Sequence, residues 1–94
     1  MAAIVSEAGG ISEEEAVEIA KKQMETDLGE KAQEMEILTD IYGKEAFLID
    51  ISSNAAKYDT ESSVAYSVGF RNEDRYIYAC IIDAVDGSVL SVQK

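Results

Sequence analysis

The chain has no histidine and no proline, a single cysteine at Cys80, and only two arginines, Arg71 and Arg75, among its 94 residues. Without histidine, a nucleophilic serine or cysteine lacks its usual partner. A base working near neutral pH would have to be a carboxylate or lysine strongly shifted by burial. One cysteine excludes an intrachain disulfide. Nothing near Cys80 in Tyr78-Ala79-Cys80-Ile81 would lower its pKa, so it reads as a small buried hydrophobe. The missing proline fits a chain spent mostly in helix and ladder. No stretch approaches the ~20 apolar residues of a membrane-spanning helix. Met1 to Gly10 has neither the basic n-region nor the apolar h-region of a signal peptide.

What is abundant is acid. Nineteen Asp and Glu against eight Lys and Arg give a net charge of −11. That field repels a phosphate backbone, so nucleic acid and anionic membrane surfaces are poor partners. It serves solubility, or attraction to a cationic partner such as a basic protein surface or a divalent metal. With 47% hydrophobic residues the composition is that of a globular chain, long enough for one modest core.

Along the chain, Met1 to Gly10 reads as a tail or linker, with Gly9-Gly10 as a joint and Ile4 and Val5 set to touch the body. Residues 11–94 read as a single domain. Ser12 and Glu15 stand at capping-box spacing, and Ala16, Ile19, Ala20, Met24 and Leu28, joined by Gln23, repeat at helical period. A helix is therefore predicted from about Ser12 to Leu28, with Gly29 at its left-handed end. Lys31 to Glu34 favours helix, after which a strand is expected from Met35 to Tyr42. Gly43-Lys44 turns into a second strand, Ala46 to Ser52, whose Phe47 face is expected in the core. Ser53 to Ser63 reads as a surface loop. Val64, Tyr66, Val68 and Phe70 then alternate strictly, Asn72-Glu73-Asp74 turns the chain, and Arg75 to Lys94 forms a β-hairpin about Asp86-Gly87.

No constellation reads as catalytic, and neither a cofactor nor a metal is predicted. Asp83 and Asp86 fall short of a calcium loop in ligand number and spacing, and carboxylates at a turn bond nearby backbone amides. Glu13, Glu14 and Glu15 suit the positive end of the helix dipole. The five tyrosines are ordinary strand formers with a polar tip. One helix followed by strands argues an α+β fold in which the helix packs across an antiparallel sheet of four or five strands.

Two separated pieces resemble one known family. The run Tyr78, Cys80, Ile82, Asp83, Ala84, Gly87, Val89 and Leu90 is similar to the C-terminal signature of the PepSY domain. Ile11-Ser12-Glu13-Glu14-Glu15-Ala16, with Ile19 and Ala20, resembles the helix that opens it. Asp86 stands where the family usually has Thr, and Glu30 to Ser63 is longer than a minimal unit needs. The resemblance implies a cystatin-like helix on a curled sheet. It also implies a non-catalytic, propeptide-like module outside the cytoplasm that regulates, inhibits or localises a peptidase. The alternative is a structural or sensor domain that self-associates or packs on another domain of a parent chain.

Pairing Arg71 with Arg75 would set Phe70 beside Tyr76, Val68 beside Tyr78, Tyr66 beside Cys80 and Val64 beside Ile82 beneath the helix. The opposite face would carry Ala65, Ser67, Gly69, Ile77, Ala79 and Ile81, small and apolar where a solvated face should be polar. These six residues are the candidate protein-contact face. A register shifted by one would instead turn Ile77, Ala79 and Ile81 inward.

Overall fold

Ser12 adopts extended backbone and closes the expected capping box. Its Oγ accepts from the Glu15 amide at 3.1 Å, and the Glu15 carboxylate accepts from the Ser12 amide at 3.3 Å. The first helix, α1, spans Glu13–Leu28 and ends on Gly29 at φ 60°, whose amide returns to the carbonyl of Glu25. The computed structural model describes residues 10–58, 60 and 62–94. The tail expected before Gly10, with Ile4 and Val5, lies outside the described residues.

Ala16, Val17, Ala20 and Met24 are the buried stripe of α1, flanked by half-buried Ile19 and Leu28. A 3₁₀ turn, Gly29–Glu34, follows and buries Ala32. The sheet is then built from β1 (Glu36–Ile37), β2 (Phe47–Asp50), β3 (Val64–Arg71), β4 (Ile77–Asp83) and β5 (Val89–Gln93). All pairings are antiparallel. β3 is central, with β4 and then β5 on one side and both β1 and β2 along the other. This is the α+β arrangement of one main helix on a five-stranded sheet.

Tyr66, Val68 and Phe70 of β3 and Tyr78, Cys80 and Ile82 of β4 point toward α1 and are at most 1% exposed. At roughly 1.5–3 kcal/mol for each large apolar side chain buried, this strand pair weighs heavily, since it supplies all but Ile51 of the largest fully buried side chains among the described residues. Phe70 and Tyr78 are direct cross-strand partners with tilted rings, 6.3 Å between centroids. The Tyr66 hydroxyl donates to the Ile11 carbonyl at 3.3 Å, holding the entry to α1 against the sheet.

Four expectations are corrected. The β3–β4 register joins Arg71 to Ile77, Phe70 to Tyr78, Val68 to Cys80 and Tyr66 to Ile82, two residues from the expected pairing. The connection is longer than Asn72-Glu73-Asp74 because Arg75 takes φ 67° and the Asn72 side chain accepts from the Tyr76 amide at 2.9 Å. A shift of two preserves facing, so the inward and outward sets stand as expected. The strand expected over Met35 to Tyr42 is only Glu36–Ile37, since Asp40 draws the chain into a turn. The Phe47 face is not in the core: Phe47 pairs with Ser67 and Ile49 with Ala65, on the side away from α1. Finally, Ser53 to Ser63 holds local structure, a 3₁₀ turn over Ser52–Asn54 and a short helix, α2, over Ala55–Tyr58.

Candidate protein-contact face

The face of the sheet turned from α1 is assembled by strand alternation alone. β3 contributes Ala65, Ser67 and Gly69, and β4 contributes Ile77, Ala79 and Ile81, with Ser67 opposite Ile81 and Gly69 opposite Ala79. β2 extends it with Phe47 and Ile49, and β5 closes it with Ser91 and Gln93. The structure therefore brings the six expected residues onto one face but does not treat them alike. Ile77 is 45% exposed and Ala65 is fully buried, with the other four between. Gly69 leaves room for Leu38, whose Cδ1 would stand 3.3 Å from a side-chain carbon placed there.

Ala65 is fully buried at the end of the face next to Asp83. Its partner in the ladder is Asp83, at the end of β4 on the same face and only 2% exposed. The Asp83 carboxylate accepts from Thr60 Oγ1, from Ser62 Oγ and from the Val85 amide, each at 2.8 Å. Burial by itself would raise the pKa of this acid. The bonds from Val85, Ser62, Thr60 and Asp86 outweigh it and hold the carboxyl below the usual range. Asp83 thus ties the Thr60 and Ser62 side chains to the end of β4; the neighbouring Ser63 carbonyl accepts from the amide of Ile51, which is 2% exposed and lies outside the main core cluster. Turn chemistry marked Asp83 in the sequence. No local signal marked its partners 21 and 23 residues away.

The remaining polar groups serve structure. Asp86 accepts from the Ser88 amide at 2.8 Å in the same turn, where Gly87 takes φ 80°. The Tyr78 hydroxyl donates to Asp27 at 2.6 Å. That bond, then Gln23 and Lys94, lowers the pKa of Asp27, while burial and the hydrogen bond to Asp27 push the Tyr78 phenol up. Burial likewise raises the pKa of the Cys80 thiol. Both arginines line an open cleft of about 800 Å³ with Glu34, Glu36, Glu73 and Asp74, where acid outnumbers base. Among the described residues no three His, Cys, Asp or Glu side chains gather as metal ligands. No described helix is long and apolar enough to cross a membrane.

What the face offers chemically is an apolar set, Phe47, Ile49, Ile77, Ala79 and Ile81, interleaved with Ser67, Ser91 and Gln93 and bordered by Arg71 opposite Ile77. Neither a curated protein nor a solved structure matches the chain. The family whose model does match, over residues 10–93, is described as the peptidase propeptide and YPEB domain. With the opening helix and the closing hairpin both inside the matched span, this chain belongs to the PepSY family.

Proposed function

We propose that this chain is a non-catalytic protein-binding module that regulates, inhibits or localises a peptidase outside the cytoplasm. Family membership supports the peptidase connection, since PepSY domains are propeptide-type and regulatory units. The single observation that carries the binding reading is the sheet face away from α1. Ile77, nearly half exposed, stands there in line with Ala79 and Ile81, beside Ser67 and Gly69. A face meant only for water would alternate into polar residues, as antiparallel sheets with one solvated side do. The −11 charge favours a partner with a basic border.

The test uses purified peptidases of the serine, cysteine, aspartic and metallo classes, with calorimetry to detect binding. Ile77→Lys and Ile81→Lys should leave the melting transition cooperative while weakening binding roughly tenfold or more, the loss expected of a central apolar contact. Wild-type chain that binds none of these peptidases would refute the proposal. Unfolding by Ile81→Lys would place that residue in the core and remove it from the contact face.

A further inference from the structure

Two large apolar side chains stand almost free of the molecule at one point, Ile41 at 90% and Tyr42 at 87% exposure. Among the described residues the next most exposed large hydrophobic, Val85, is at 50%. The turn that carries them is firmly built. Asp40 Oδ1 accepts from the Tyr42 amide at 2.8 Å and the Lys44 amide at 2.9 Å. The Gly43 amide donates to the Asp40 carbonyl at 3.0 Å, and the Asp40 amide donates to the Lys44 carbonyl at 3.2 Å. Gly43 takes φ 80°, and the Lys44 ammonium lies 3.3 Å from Glu13 at the start of α1. Neither apolar residue joins the core cluster. A turn needs no hydrophobic tip to close, so the hydrogen bonds set the shape and leave the Ile-Tyr pair unused by the fold.

Resting on the function proposed above, we infer that the Asp40–Lys44 turn is the inhibitory element, with Ile41 and Tyr42 entering the substrate cleft of the peptidase. The sheet face is broad and suits the body of a partner; this turn is convex and suits a cleft. Its backbone is held in advance, so docking sacrifices little conformational freedom. An aliphatic and an aromatic residue side by side match the apolar pockets that bind peptide side chains, with the tyrosine hydroxyl reaching a polar edge. The net charge selects a peptidase whose cleft is bordered by basic groups.

The experiment compares the wild-type chain with the double variant Ile41→Ser/Tyr42→Ser against the four-class peptidase panel, reading hydrolysis of fluorogenic peptides. Wild-type chain should raise KM without lowering kcat, and added salt should weaken the inhibition. The double variant, with an unchanged melting midpoint, should need roughly tenfold or more higher concentration for the same effect. Amide resonances of residues 40–44 in the wild-type chain should shift when the inhibited peptidase is added, a readout independent of any variant. Equal inhibition by both chains, a fall in kcat at constant KM, or silent resonances would overturn the inference and leave peptidase regulation standing. Wild-type chain that binds a peptidase without inhibiting it would overturn the inference alone. Absence of any binding across the panel would bring down both.

Discussion

Asp83→Asn removes one charge and almost no volume from the most heavily bonded acid among the described residues. Three donors, Thr60 Oγ1, Ser62 Oγ and the Val85 amide, converge on its carboxylate at 2.8 Å while the residue is 2% exposed. Hydrogen bonds to a charged group are worth about 1.5–3 kcal/mol each, and their sum overstates the effect because half-exposed Thr60 and Ser62 regain water. Asparagine keeps one acceptor and turns its amide NH2 toward donors. The net cost should be near that of one charged bond, about 2 kcal/mol, or a drop of roughly 8–16 °C in melting midpoint for a chain this size. The sign with pH follows from the lowered folded-state pKa. The folded protein holds fewer protons on this group than the unfolded chain does, so the stabilisation is complete at neutral pH. It is lost as pH falls below about 4 and through the folded value. The gap between wild type and variant in chemical denaturation should therefore be widest at pH 7 and narrow steadily toward pH 2. Ser62→Ala should cost less when combined with Asp83→Asn than alone, because both changes remove the same contact. A difference below about 0.5 kcal/mol at pH 7, or one that widens in acid, would refute the assignment of Asp83 as the bonded anion.

Three further outcomes are expected. Ser12→Ala should lower stability by roughly 0.5–2 kcal/mol in urea unfolding, since it opens the capping box at α1. Alkaline titration by ultraviolet absorbance should be biphasic, with Tyr66 and Tyr78 ionising only as the protein unfolds. Burial raises both, Glu13 and Glu15 add to Tyr66, and Asp27 adds to Tyr78, so their stabilisation is intact below about pH 10 and lost above it. Melting curves with and without chelator or reductant should coincide, and Cys80 should react with a thiol reagent only in denaturant.

The parts readable in the sequence are those fixed by neighbours in the chain. Ser12 and Glu15 are three residues apart, the stripe from Ala16 to Met24 repeats along one helix, and Asp86-Gly87 makes its own turn. The β3–β4 register departs by two from the expected one because an arginine at positive φ, Arg75, has no composition signature. The facing survives because side chains alternate with period two. β2 shows what alternation leaves open. Phe47, Ile49 and Ile51 share one parity and Ala46 and Leu48 the other, so the richer set is the natural choice for the core. Pairing with β3 decides otherwise, and fully buried Ala46 takes the inward place. Ile41 and Tyr42 read as part of a strand because their hydrophobicity suits one, but the Asp40 carboxylate claims the amides of Tyr42 and Lys44.

The same long-range bonding that hides Asp83's role from sequence lies at one end of the candidate contact face. Six residues of suitable character lie in two adjacent rows, and alternation alone cannot rank them. Thr60 and Ser62 bond Asp83 at the end of β4 where Ala65 is fully buried, while Ile77, at the other end of β4, stays open. Gly69 between them admits Leu38 from the chain beyond β1, which adds apolar area at the open end where a bulkier residue would have forced it away. Of the six residues, the most exposed, Ile77, thus stands at the end of β4 nearest the β3–β4 turn, and the most buried, Ala65, at the Asp83 end. A partner docking on this face should therefore centre on Ile77 and Ala79 rather than on Ala65.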